Sequence, residues 1–127
     1  MESELSLKFI LSLYYRSLTP YASLAIQEQL DIEHISGKAC KDGVVHKEYL
    51  GNLMLFEGKN DPIVKKFRGN RSLGKLPYSE KIEMYEASAV KMANEVAKKY
   101  TIRFKDAEII ERGRHMLQSL MQLPSKA

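Results

Sequence analysis

Residues 31–36 have the sequence DIEHIS, and residues 51–62 have the sequence GNLMLFEGKNDP. The first stretch alternates apolar and polar side chains, as a short half-buried strand does. In the second stretch, the apolar run from Leu53 to Phe56 is too short for a helix and also predicts a strand. Asn60 follows where a helix could begin, because Asn is a preferred N-cap and Pro62 is tolerated in a first turn. The predicted order is therefore strand, long loop, strand, helix.

This order, with Asn52 before the second strand and Asn60 at the start of the helix, resembles the ββα-metal, or HNH, nucleases. More specifically, the sequence resembles the C-terminal nuclease domain of GmrSD-type, modification-dependent restriction enzymes. The segments that carry this similarity are EHI at 33–35, GNLML at 51–55, Asn60, SEK at 79–81, and YEAS at 85–88. Together with the last helix, the resemblance covers about residues 31–121.

Two further details bear on the resemblance. Ile109 and Arg112 match the Ile-x-x-Arg pattern that the family has in its last helix. Ser36 and Gly37 stand where the family commonly has a Pro, and the segment after Asn60 is longer than the family pattern leads us to expect. Arg112 is either a phosphate ligand or a structural contact.

The resemblance implies metal-dependent hydrolysis of DNA phosphodiester bonds, in defence against foreign or modified DNA. It makes His34 the general base and Asn52 the residue that holds the loop and orients His34. Glu33 and Asn60 would be ligands of a divalent cation, and their oxygen donors favour Mg²⁺ or Mn²⁺. Phosphate contacts are expected from the basic side chains that follow, which are Lys65, Lys66, Arg68 and Arg71.

Glu33 and His34 present a geometric difficulty, because adjacent side chains on a strand point to opposite faces. They converge only if the strand twists or bulges, or if the metal lies at the end of the strand. If Glu33 and His34 do not converge, Asp61 is the substitute for Glu33 as a metal ligand. Without the surrounding pattern, His34 would be interpreted as a structural histidine, Asn52 as a turn residue and Asn60 as an N-cap.

The predicted fold class is α+β and mostly helical, with the ββα-metal motif packed among longer helices. A chain of 127 residues with 44% hydrophobic content fits a single domain. We expect a helical lead-in at 1–30, with helices at 5–18 and from Thr19 to Leu30, then the motif at 31–68 and two long helices within 79–123. Ser79 is the predicted N-cap of the first long helix, and Asp106 begins the second. Their predicted apolar stripes are Ile82, Tyr85, Ala89, Ala93, Val96 and Tyr100, and Ile109, Gly113, Met116, Leu120 and Leu123.

Composition excludes several classes of protein. The single cysteine, Cys40, rules out a disulfide framework and the zinc-stapled kind of HNH domain, which needs paired cysteines. No signal peptide is recognisable, and the apolar stretch 5–18 is too short to span a bilayer. We therefore expect a cytoplasmic protein that does not enter a membrane.

Charge and hydrophobicity point to two kinds of partner. Residues 59–81 contain seven basic and two acidic side chains, a net +5 that exceeds the +4 of the whole chain. This local excess fits DNA, although a solvated basic face is an equally good explanation. The helix at 5–18 is apolar almost all round, so it is either a core helix or a docking surface for a second copy or a separate subunit. Such a subunit would supply targeting or NTP hydrolysis, since no Gly-rich phosphate loop occurs in this sequence.

Two alternative functions remain open. A degenerate ββα-metal domain could bind nucleic acid without cutting it. A helical interaction or regulatory protein could use the helix at 5–18 as its working surface. Metal binding distinguishes the first alternative from a nuclease, and oligomeric state together with DNA affinity distinguishes the second.

Overall fold

The computed structural model describes the backbone of residues 2–19 and 29–122, and the side chains within those ranges from residue 6 onward. Most of the short helix predicted between Thr19 and Leu30 therefore lies outside the described residues, and so does Leu123. The described part contains five α-helices and a two-stranded antiparallel sheet, so the predicted mostly helical α+β class is confirmed. In chain order the elements are α1 (Glu2–Leu18), β1 (Asp31–His34), β2 (Leu53–Phe56), α2 (Pro62–Arg68), α3 (Tyr78–Ala87), α4 (Lys91–Lys99) and α5 (Asp106–Met121).

The two strands form at the predicted places. β1 pairs antiparallel with β2, so that Asp31 lies opposite Phe56 and His34 lies opposite Leu53. All four residues of β2 are buried, which explains its unbroken apolar sequence, whereas β1 has a mixed pattern. A 3-10 turn (Leu50–Asn52) leads directly into β2. The predicted order of strand, long loop, strand, helix is confirmed.

The start of α2 differs from the prediction by one residue. Asp61, not Asn60, is the N-cap, because its carboxylate accepts hydrogen bonds from the backbone amides of Ile63 and Val64. Pro62 occupies the first turn, as predicted. Asn60 lies in the preceding turn with its side chain exposed, so it is available for a contact other than capping.

The long helix predicted from Ser79 to Tyr100 is wrong, because it divides into α3 and α4. Ser79 is not the N-cap either, since α3 already begins at Tyr78 with Pro77 in the cap position. The break falls at residues 88–90, where Ser88 bonds to Glu57 through its hydroxyl and accepts the amide of Val90. A serine side chain that takes the place of a helical backbone bond ends the helix. Ala89, which the predicted stripe placed inside, is exposed.

The core joins the sheet to three of the helices. α1 contacts both α4 and α5, α1 and α4 pack on β2, and α5 packs on the 3-10 turn before β2. Leu11, Tyr14 and Tyr15 of α1 are buried, which supports the core interpretation of that helix, although Phe9 is 65% exposed. Within the described residues, no helix is both long and apolar enough to cross a membrane.

The loop between the strands meets α5 at Gly51. A Cβ at this position would lie 1.8 Å from the carbonyl oxygen of Ile109, so only glycine allows the two backbones to approach so closely. Beside it, the buried Arg112 donates to the carbonyls of Gly51 (2.9 Å) and Leu53 (2.8 Å). Arg112 is therefore a structural contact, one of its two predicted roles, and it fixes the start of β2.

Candidate functional site

His34 is the last residue of β1, and its side chain remains 17% exposed. Its Nε2 lies 3.2 and 3.3 Å from the two carboxylate oxygens of Glu48, a residue of the long loop. Because an ionised carboxylate only accepts hydrogen bonds, this contact places a proton on Nε2 of the neutral ring. The free lone pair is then on Nδ1, which is the atom able to take up a proton.

Glu48 is ionised in this arrangement. Burial tends to raise the pKa of its carboxyl group, but the hydrogen bond from His34 and the charge of Lys38 outweigh that effect. The pKa of Glu48 therefore lies below its usual value. A carboxylate that fixes the tautomer and orientation of a histidine is a common partner of catalytic bases.

Glu33 faces away from the His34–Glu48 pair. Its Oε2 accepts a hydrogen bond from the hydroxyl of Tyr85 at 2.7 Å and lies 3.0 Å from Nζ of Lys81. Both partners belong to α3, and Glu33, Lys81 and Tyr85 are all buried. The expected alternation along the strand thus holds, since among the described hydrogen bonds and ion pairs none joins the side chains of Glu33 and His34.

Asn52 is fully buried and ties the long loop to the start of β2. Its Oδ1 accepts from the amide of Ser36 at 2.7 Å, while its Nδ2 donates to the carbonyls of Ser36 (3.0 Å) and Lys47 (2.8 Å). It makes the loop contacts that the resemblance implies. Its described side-chain hydrogen bonds go to Ser36 and Lys47, so any effect on His34 passes through the backbone.

A second set of contacts closes the same loop around Lys47. Its Nζ lies 2.8 Å from Oδ1 of Asp42, and it also donates to Ser36 Oγ and to the carbonyls of Gly37 and Cys40. Burial raises the pKa of Asp42, but hydrogen bonds from Lys47 and Ser36 outweigh it, so the pKa lies below its usual value. Lys47 therefore holds the loop that carries Glu48.

Gly37 of the long loop lies directly against the 3-10 turn Leu73–Lys75. A Cβ on Gly37 would lie 2.2 Å from the carbonyl oxygen of Gly74, which also accepts the amide of Ala39. Only glycine at position 37 therefore allows the loop and this turn to approach so closely.

A cavity of about 700 Å³ lies beside β1 and brings Glu33 and Asn60 to the same space. Asp31 and Glu57 add acidic groups to its lining, although both carboxylate oxygens of Glu57 are already bonded to Ser88 and Ala89. Among its described lining residues His34 does not appear. The substitute ligand Asp61 also lies outside the lining, and its carboxylate caps α2.

The donor set fits a hard divalent cation in part. Glu33 Oε1 takes part in none of the described hydrogen bonds or ion pairs, and the exposed amide of Asn60 would offer a second oxygen in the same lining. In residues 2–19 and 29–122, no three His, Cys, Asp or Glu side chains cluster closely enough to hold a metal by themselves. Mg²⁺ commonly binds through one or two protein oxygens and completes its shell with water and substrate phosphate.

The basic residues that follow Asn60 in the sequence differ in their exposure and in their contacts. Lys65 and Lys66 are exposed on α2. Arg68 and Arg71 border the cavity, but Arg68 donates to the carbonyl of Lys59 in the preceding turn. Arg71 donates to backbone carbonyls at the end of α2 and also pairs with Glu80. Lys81 was counted in the basic face predicted from the sequence, and that is wrong, because its side chain is fully buried.

Comparison with known proteins adds nothing to these observations. No family model, curated protein or solved structure matches the chain.

Sequence reasoning missed the contacts that Glu48, Lys81 and Tyr85 make. Lys81 and Tyr85 are four residues apart on α3, and residues at that spacing lie on one face of a helix. A buried lysine on the same face as a buried tyrosine is the signal that could have revealed them. Glu48 has no such signal, because an acid within a polar loop looks like any other.

Proposed function

We propose that this protein is a metal-dependent endonuclease that hydrolyses DNA phosphodiester bonds. The observation that supports it most is the His34–Glu48 pair at the end of β1. The pair lies within a strand, loop, strand and helix unit, and the neighbouring Glu33 lines a cavity with Asn60. The HNH resemblance assigns these same positions to the base and to the metal ligands.

The chemistry begins with His34. With Nε2 bonded to Glu48, Nδ1 takes the proton from a water molecule that attacks the phosphorus atom. The imidazolium that forms is stabilised by the Glu48 carboxylate. Asn52 and Lys47 hold the loop that supplies Glu48, so the ring is oriented before DNA binds.

Because Glu33 faces away from His34, the cation and the base act on one phosphate only where that phosphate lies across the end of β1. A divalent cation bound there by Glu33 and Asn60 would neutralise negative charge on the phosphate and on the leaving oxygen. Glu33 offers Oε1, because its Oε2 is occupied by Tyr85 and Lys81. Lys65 and Lys66 contact flanking phosphates and give affinity without sequence choice. Arg68 and Arg71 shape the cavity wall, and they reach phosphate only by exchanging their carbonyl contacts.

The biological setting follows from the resemblance alone. We propose that the chain acts in the cytoplasm against foreign or modified DNA. A separate subunit would supply targeting or NTP hydrolysis, and a second copy docking through residues 5–18 is the alternative partner.

A second candidate function is DNA binding without cleavage. The observation that favours it is the Lys81–Glu33 ion pair, since an internal ammonium already neutralises the carboxylate that a metal would use. Mn²⁺ binding separates the two candidates. A non-cutting domain binds DNA at low salt but leaves Mn²⁺ free.

The test of the proposed function is cleavage of supercoiled plasmid with Mg²⁺, with Mn²⁺, and with excess chelator, together with a parallel RNA substrate. We expect nicked and linear DNA only when the ion is present, and a loss of cleavage in Glu33→Gln. Cleavage in chelator, or equal cleavage by Glu33→Gln, would overturn the metal-dependent mechanism. A protein that binds DNA but neither cleaves it nor binds Mn²⁺ would support the second candidate.

A further inference from the structure

Lys81 is a charged side chain with no exposure to solvent. Its Nζ lies 3.0 Å from Glu33 Oε2, and it donates to the carbonyls of His34 (2.8 Å) and Ile35 (3.3 Å). An ammonium group has three protons to donate, and these three acceptors match them. All three belong to consecutive residues at the end of β1, so Lys81 fixes the backbone of that strand end as well as one side chain.

Tyr85 completes the same arrangement one turn along α3. Its hydroxyl donates to the same carboxylate oxygen, Glu33 Oε2, at 2.7 Å. Its ring is held edge-on against Phe56 of β2, with 5.2 Å between the ring centroids. The orientation of the hydroxyl is therefore set by the core. Both contacts from α3 go to one oxygen of Glu33 and leave the other.

Burying an ammonium group and a carboxylate is costly, and an apolar pair of similar size is often at least as stable. Stability alone therefore does not explain why Glu33, Lys81 and Tyr85 form a buried polar triad. A carboxylate held by outer hydrogen bonds is, however, what metal ligands require, since such contacts fix the oxygen that faces the ion. Glu33 lines the cavity shared with Asn60, and His34 is the next residue along the strand.

We propose that Lys81 and Tyr85 are positioning residues, which hold Glu33 so that Oε1 is presented to the cation and fix the strand end that carries His34. This inference rests on the proposed metal site. It assigns a role to α3, which the proposed function itself does not need. A merely structural triad would affect folding stability and leave metal affinity unchanged.

Tyr85→Phe is the most informative variant, because it removes one hydrogen bond and keeps the ring in the core. Tyr78→Phe is the matched control, since its hydroxyl bonds to the carbonyl of Tyr100 (2.6 Å) and not to Glu33. The measurement is a titration with Mn²⁺ alone, in which the concentration of the free ion is read by electron paramagnetic resonance. We expect Mn²⁺ affinity to fall roughly tenfold or more in Tyr85→Phe and to stay unchanged in Tyr78→Phe.

The same titration in a Glu33→Gln background shows whether Tyr85 acts through Glu33. Adding Tyr85→Phe to Glu33→Gln should then change Mn²⁺ affinity no further. Lys81→Met removes the contacts to the strand end and also a positive charge that repels Mn²⁺. The comparison of Tyr85→Phe with Tyr78→Phe, which leaves that charge in place, is therefore the deciding test.

Equal Mn²⁺ affinity in Tyr85→Phe and Tyr78→Phe would overturn the positioning role, even if the wild type cleaves DNA. A wild type that does not bind Mn²⁺ would overturn both the positioning role and the proposed nuclease. Mn²⁺ binding that depends on Glu33 and Tyr85, in a protein that leaves DNA intact, would uphold the positioning role and reject the nuclease alone.

Discussion

Asn52 shows at the level of a single residue how the loop before β2 is held. Its amide satisfies three backbone groups, one donor and two acceptors, in a place that solvent does not reach. A buried backbone group without a partner costs more than a hydrogen bond gains. Asn52 therefore contributes to the stability of the whole protein as well as to the shape of the site.

Asn52→Ala should lower the free energy of unfolding by about 2 to 4 kcal/mol, because it leaves these backbone groups unpaired. The matched control is Asn60→Ala, which changes an exposed side chain and should shift stability by less than about 0.5 kcal/mol. Urea unfolding followed by circular dichroism measures both. Equal stability of the two variants would contradict this account of the loop.

The Asp42–Lys47 contact makes the loop sensitive to acid. Because the pKa of Asp42 is lowered in the folded state, its contribution to stability is fully present above the usual aspartate pKa of about 3.9. That contribution is lost as the pH falls through the lower, folded value. We expect Asp42→Asn to show a smaller loss of stability than the wild type between about pH 4 and pH 2. Parallel stability curves for the two proteins would count against this.

At the residue scale, the sequence predicted some residues of the candidate site and missed others. Asn52 was expected to hold the loop because of the family resemblance and not because of a local pattern, since its contact with Ser36 spans 16 positions. Glu48, Lys81 and Tyr85 could not be predicted, because their contacts with β1 span 14, 47 and 52 positions along the chain. Such contacts depend on how α3 and the loop pack, which no local pattern specifies.

At the scale of elements, the close approach of α5 to the 3-10 turn before β2 sets the position of the site. Gly51 faces the carbonyl of Ile109, and Gly113 of α5 lies opposite Gly51. The two glycines are not equivalent. A Cβ on Gly113 would lie 3.5 Å from the amide nitrogen of Gly51, an ordinary contact, whereas one on Gly51 would overlap the helix backbone.

Gly51→Ala should therefore destabilise the protein by about 3 kcal/mol or more, since the turn and α5 must separate and Arg112 loses its carbonyl partners. Gly113→Ala should raise stability by up to about 1 kcal/mol, because alanine favours the helix. Thermal unfolding of the two variants measures the difference. A stable Gly51→Ala protein would show that the turn and helix do not meet as described.

The break between α3 and α4 makes a second element-scale prediction. Ser88→Ala removes the hydroxyl that joins Glu57 to the start of α4, so the unfolding free energy should fall by about 1 to 2 kcal/mol. Ser79→Ala is the control, because Ser79 is exposed and Pro77 occupies the cap position; it should change stability by less than about 0.5 kcal/mol. The opposite order of effects in urea unfolding would restore Ser79 as the cap.

The strands and the start of α5 could be predicted from apolar runs and charged first turns, which are local signals. The break at Ser88 could not, because Glu57, which bonds it, is 31 positions away. Periodic apolar residues continued from Ile82 to Tyr100, and so the sequence favoured one helix. The contact between Ser88 and Glu57 ends the first helix instead.

At the scale of the whole molecule, fewer basic side chains are free to contact DNA than the sequence indicates. Lys81 is buried, Arg68 donates to the preceding turn, and Arg71 is bonded to the end of α2 and to Glu80. Lys65 and Lys66 are therefore the basic residues of the predicted DNA set that remain fully directed to solvent. DNA affinity should then depend on salt through few contacts. DNA binding this weak would be consistent with the separate targeting subunit proposed above.

The rate of DNA cleavage under single-turnover conditions with Mn²⁺, compared between His34→Ala and His46→Ala, tests the central claim most directly. His46 lies in the same loop and stacks on Tyr49, with 4.0 Å between ring centroids, so it controls for loss of a histidine near the site. We predict that His34→Ala cleaves roughly 100- to 10,000-fold more slowly than the wild type, as expected for loss of a general base. His46→Ala should keep the wild-type rate. Equal rates for His34→Ala and the wild type would contradict the assignment of His34 as the base.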